Sequence, residues 1–180
     1  MLKRFFTIVL LFVAVISNAE GHFQFKGIEI NGPLKSVMDQ LTNHGFSQVD
    51  LLEQGGIMSG WFTGNEVKLY ILTTPISKTV KSIIVEYNKI TPWSVNKSRY
   101  DELAGMLQGK YGDPVENVCD VCDEYDPFHE LYMDRGRMYK KYVCDQGSII
   151  IEVNGKGHIL LYYIDNANTI LNSQEEASEL

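Results

Sequence analysis

The clearest alternation of apolar and polar positions lies over 66–73. Val67, Leu69 and Ile71 fall on one side, and Lys68, Tyr70 and Leu72 on the other. A period of two marks a strand with one covered face. Gly64-Asn65 precedes it as a tight turn, because glycine takes positive φ freely and asparagine tolerates it. A strand over 57–63 leads into that turn, and after Pro75 the pattern returns over 79–87. The stretch 60–88 therefore reads as three short strands. Turns this short make an antiparallel meander, since parallel neighbours need long crossovers. A shorter version recurs at 140–165, with strands predicted over 138–144, 148–153 and 157–164. Ile149-Ile150-Ile151 is apolar on both faces, which predicts a central strand.

Before each meander the period changes to that of a helix. Leu34, Val37, Met38 and Leu41 make one apolar stripe. Pro33 suits the first helical position, and Gly45 suits a left-handed cap. Ser94 is the predicted N-cap of a second helix reaching Tyr111, with Tyr100, Leu103, Leu107 and Tyr111 as its stripe and Met106 beside it. Gly112 caps it and Pro114 forbids continuation. Gly105 and Gly109 each weaken that helix by about 1 kcal/mol relative to alanine. Their expected role is close approach to a sheet. A short strand is predicted over 22–32 from Phe23, Phe25, Ile28 and Ile30. A weaker one is predicted over 46–54, beside the strand that holds Trp61, with Gly55-Gly56 as the intervening turn. The expected fold is α+β: a two-layer, tandem helix–antiparallel-meander repeat with both helices on one face of the sheet. One domain is expected over 20–172, made of half-repeats at about 23–90 and 91–172, followed by a frayed acidic tail at 173–180.

The first residues change the picture of where the chain works. Lys3 and Arg4 precede an apolar run over 5–16, and Ser17-Asn18-Ala19 supplies small residues. That is the pattern of a signal peptide over 1–19, with cleavage expected after Ala19 and an apolar run too short for a span of ~20 residues. The alternative is an uncleaved anchor. A periplasmic or secreted location follows. The formal net charge is −7 and becomes more negative once Lys3 and Arg4 are removed. Such a chain repels phosphate backbones, so no nucleic-acid partner is expected. No later stretch is long and apolar enough to predict a membrane span.

Four segments carry a resemblance: FKGIEINGPLKSVMDQLTNHGF, the GWFTG turn, YDELAGMLQGKYG and ILLYYIDNANTILN. In that order they resemble a family of small exported proteins of Bacteroidetes, over nearly all of the chain after the signal segment. Glu29, where members of the group favour proline, and the cysteine-bearing loop after Gly112 depart from it. The resemblance implies export and this fold, and it carries no function across. In element order the chain is also similar to the β-lactamase-inhibitor-protein type of fold, and fold does not imply function.

Candidate chemistry is sparse. Cys119 and Cys122 form a C-x-x-C, with Cys144 apart from them. A redox pair normally opens a helix, whose dipole lowers the thiol pKa. Here Asp120, Asp123 and Glu124 would raise it, and Pro127 opposes a following helix. The alternative is structural. Pairing of 115–123 with 138–144 would bring Cys119 or Cys122 near Cys144, and a disulfide closing that loop would add roughly 3 kcal/mol. Over 115–134 there are seven acidic residues and no Lys or Arg. Asp120, Asp123, Glu124 and Asp126 are oxygen donors of the kind calcium takes, without the EF-hand spacing. The other reading is a solvated acidic loop. His22, His44, His129 and His158 are scattered, and no metal site or cofactor is expected. No hydrolase or phosphate-loop motif is present.

What remains is the sheet face turned from the helices. Alternation assigns Lys68 and Tyr70 to it, and by extension Trp61, Tyr142 and Tyr162. Aromatic residues among charges suit a binding surface, although tyrosines also pack across strands in any sheet. The expected function is a non-enzymatic exported binding module that engages a protein or a glycan through this face or the acidic loop. The alternative is an envelope hydrolase without a recognisable motif.

Overall fold

The computed structural model describes residues 21–178. The expected signal segment and its expected cleavage after Ala19 lie outside them. The chain opens with a small hairpin, β1 (Gln24–Phe25) and β2 (Ile28–Glu29), where a single strand is expected. Lys26 and Gly27 turn it, with φ of 52° and 80°. Helix α1 (Leu34–Asn43) follows, burying Val37, Met38 and Leu41. Then come β3 (Ser47–Leu52), β4 (Gly55–Phe62), β5 (Asn65–Thr73) and β6 (Val80–Tyr87). Helix α2 (Trp93–Tyr111) leads to β7 (Glu116–Cys119), the short helix α3 (Pro127–Tyr132), β8 (Met138–Cys144), β9 (Gly147–Val153) and β10 (Ile159–Asp165). Helix α4 (Asn166–Ala177) ends the described chain. Among the described residues, no helix is long and apolar enough to cross a membrane.

The protein is α+β with one large antiparallel sheet, in the order β3-β4-β5-β6-β10-β9-β8-β7. Two meanders join where the last strand of each pairs with the other, Val85 opposite Leu161. One face of the sheet carries the core: Val67, Leu69, Ile71, Ile83, Val85, Ile149, Ile151 and Leu161 are all buried. Helix residues reach this face. A side chain at Gly56 would run into Met38 of α1, and the Tyr142 hydroxyl donates to the Ala104 carbonyl of α2 at 3.0 Å. Phe25 extends the core from the hairpin, its ring 5.2 Å from Phe62 and 5.0 Å from Tyr163.

Several local expectations change. Gly55 and Gly56 are in β4 rather than at its turn. A Cβ on Gly55 would strike the Ile71 carbonyl, so glycine is there for close backbone approach. The next turn is Thr63-Gly64, φ 47° and 76°, and Asn65 already belongs to β5. Helix α2 starts at Trp93, before Ser94. Gly105 and Gly109 have no atom within 4 Å of an added Cβ, so they do not serve close packing.

The expected frayed tail is mostly helix α4, held by polar contacts. The Asp165 carboxylate caps it by accepting from Asn168 N at 2.8 Å. The Asn168 amide donates to the carbonyls of Ile30 and Val80 at 2.9 and 3.0 Å. The Glu175 carboxylate accepts from Ile76 N at 2.8 Å.

Candidate binding face

Strand register fixes which side chains share the face opposite the core. Across the sheet, Ile57, Tyr70, Ile84, Tyr162, Ile150, Lys141 and Glu116 stand next to one another. The next row runs Lys68, Glu86, Leu160, Glu152 and Tyr139. Every member of the first row except the exposed Glu116 is half-buried. The face is therefore a band of aromatic and branched side chains with charges of both signs beside it.

Tyrosine hydroxyls tie the two rows together. Tyr162 donates to Glu152 at 2.6 Å, and Tyr70 to Glu86 at 3.3 Å. At the β7 end, Tyr139 donates to Glu116 at 2.8 Å, and Lys141 reaches the same carboxylate at 3.3 Å. Burial, then the Glu152 carboxylate, pushes the Tyr162 phenol well above its ordinary range. Burial and Glu86 act in the same direction on Tyr70. Both phenols thus remain hydrogen-bond donors at any physiological pH. The bonds also fix ring orientation, so less side-chain entropy is left to lose on docking.

The face is not flat at the α4 end. Leu72, Ile84, Tyr162 and Ile164 line a mostly apolar notch of about 240 Å³, closed on one side by Thr169 and Asn172 of α4. The notch was not foreseeable from strand alternation, because it needs α4, which the hydrophobic pattern did not signal.

The residues expected on this face separate into two groups. Tyr70 and Tyr162 flank Ile84 in one row. Lys68 lies in the neighbouring row, and Trp61, 68% exposed, pairs with Glu66 one row beyond Lys68. Tyr142 is a correction: it is 1% exposed and points into the core. In β8 the inward positions are Met138, Lys140, Tyr142 and Cys144. The outward ones are Tyr139, Lys141 and Val143, so apolarity does not separate the two sides.

The cysteines are also corrected. Cys119 and Cys122 are bonded to each other, their Cα atoms 5.5 Å apart, and Cys144 is free. Strands β7 and β8 do pair, but Cys119 stands opposite Met138. In an antiparallel hairpin the residues nearest the loop meet first, which leaves Cys144 at the far end of β8, beside Gly147 of β9.

Two acidic side chains of this loop, Asp120 and Asp126, serve local structure. The Asp120 carboxylate accepts from Arg137 N at 3.1 Å, and Asp126 caps α3 by accepting from His129 N at 3.2 Å. Among the described residues no three His, Cys, Asp or Glu side chains gather to hold a metal ion.

No known protein family, curated protein or solved structure matches the chain.

Proposed function

We propose that this chain is an exported, non-enzymatic binding module, built from a duplicated helix–meander unit, that docks a protein on its open sheet face. The apolar run and small residues at 1–19 support export to the periplasm or beyond. The order helix-then-four-strands, met twice, and the two meanders joined at β6–β10 support the duplication. The contacts of Met38 and Tyr142 support placing α1 and α2 on one side, which leaves the other open except where α4 borders the notch.

The observation that carries the reading is the Tyr70–Ile84–Tyr162–Ile150 row with its apolar notch. Tyrosines held by carboxylates, surrounding branched side chains, are the anchors typical of protein interfaces. The breadth of the row and the charges of both signs beside it fit a protein surface. A side chain of leucine size from the partner would fill the notch.

The test is capture from the cell envelope with the tagged mature protein, compared across variants. A protein retained by the wild type and by Asp39→Ala, on exposed α1, should fall about tenfold with Tyr162→Ala or Ile84→Asp. Melting curves establish that each variant is folded. Equal recovery on folded face variants would remove the open face as the docking site.

A further inference from the structure

The open face leaves the Cys119–Cys122 disulfide without a role, and the fold around it has other fastenings. The bond spans a sequence separation of only 3, and short loops gain least from a cross-link. Asp120 N donates to Arg137 O at 2.9 Å, the Asp120 carboxylate accepts from Arg137 N, and Val121 between the cysteines is buried. The turn is held without the sulfurs.

The surroundings of the bond are those of a site. Cys119 is exposed at the end of β7, the outermost strand of the sheet. Both cysteines line a cavity of about 240 Å³ between α2 and the β7–β8 edge, shared with Lys97, Tyr100, Met138 and Lys140. Tyr100 is only 1% exposed, and its hydroxyl has no hydrogen-bond partner. An unpartnered buried hydroxyl is costly, so a ligand's polar atom reaching it would be stabilised. Among the described residues Lys140 makes no salt bridge, whereas Lys97 is paired with Asp101 at 2.6 Å.

We propose that Cys119–Cys122 is a thiol–disulfide exchange site for a basic, cysteine-bearing polypeptide segment. The segment would lie along the free edge of β7, whose unpaired backbone groups accept an added strand. The exposed Asp120, Asp123 and Glu124 select positive charge on it. The bonded pair is the electrophile, and Lys140, lining the same cavity as Cys122, offsets the opposition of these carboxylates to a departing thiolate.

A thiolate of the segment attacks Cys119 Sγ. The S–S bond breaks, and its electron pair goes to Cys122 Sγ, which leaves as a thiolate in the cavity it shares with Lys140. A second thiol of the segment gives up its proton and attacks its own sulfur in the mixed disulfide. Cys119 departs and is protonated, as is Cys122. The segment gains a disulfide, and the protein ends with two thiols.

The experiment uses the folded, oxidised chain carrying Cys144→Ser, with reduced unstructured two-cysteine peptides, one basic and one acidic. Alkylation and mass spectrometry follow each sulfur with time. The basic peptide should react about tenfold faster, with the ratio shrinking as salt is added, and the mixed disulfide should form on Cys119 rather than Cys122. Lys140→Met should slow the basic peptide about fivefold at unchanged melting temperature, through the poorer leaving group. The proposal is overturned if reduction keeps pace with global unfolding in mild denaturant, or if both peptides react alike. Adducts shared equally between the two cysteines would also overturn it. None of these outcomes depends on the open face.

Discussion

The first four strands of the large sheet and the last four differ most at their outer hairpins. Strands β3 and β4 are joined by Glu53-Gln54 alone, while β7 and β8 are separated by 120–137, which holds Cys122 of the disulfide, α3 and six acidic residues. Between the inner strands no connection carries a helix or a cysteine. Closing a longer loop costs little extra entropy, so the perimeter accepts an insertion cheaply. The seam does not, because β6 and β10 each have partners on both edges and a buried face. The chain's unusual chemistry has collected where the frame constrains it least.

Glycines offer the sharpest way to break that comparison. A Cβ at Gly55, in the first meander, would run into the Ile71 carbonyl. One at Gly147, in the second, would run into the Ile164 carbonyl and the Phe23 ring. Gly55→Ala and Gly147→Ala should each destabilise by about 3 kcal/mol or more, since backbone must move. Denaturant titration should still show one transition in both, because the β6–β10 seam makes one core. Trp61 and Trp93 report from the two sides, and separate midpoints from single-tryptophan versions would show that the halves unfold independently.

A smaller effect has the opposite sign. Gly105 and Gly109 face open space on α2, so alanine at either should stabilise by up to about 1 kcal/mol. A lower melting temperature would mean that α2 meets something else there. The smallest effect is at the β7 edge, where Tyr139 and then Lys141 hold the Glu116 carboxylate below its ordinary 4.5. A depressed carboxylate stabilises the fold above that value, and the contribution fades as pH falls through the folded value. Glu116→Gln should therefore melt lower than the wild type at neutral pH, with the gap closing below pH 4.5; a gap independent of pH would contradict this ion pair.

Much of the sheet was legible because Val67, Leu69 and Ile71 alternate so cleanly, and α1 because Leu34, Val37, Met38 and Leu41 leave no other period. The candidate face was legible in its first meander and, in the second, at Tyr162. In β8, Lys140 points inward while Tyr139 and Val143 point outward, so the inward side could not be chosen and Tyr142 was placed on the wrong one. Helix α4 was invisible to apolar patterning because Asn168 and Glu175 anchor it by hydrogen bonds to backbone atoms remote in sequence. The cysteine pairing depended on hairpin register, which residue types alone do not fix.

The β6–β10 seam has a consequence for the order in which the molecule is made. A ribosome delivers β3 to β6 early and β10 last among the strands, so β6 waits with one edge unpaired while the whole second meander is synthesised. That edge carries Ile83, Ile84 and Val85, an attractive template for a wrong neighbour. Until Ile159–Asp165 has emerged, the nascent chain holds an open seam. A holdase that shields β6 during that interval, or a translocation step that keeps the chain extended, would decide how much of it reaches the native sheet.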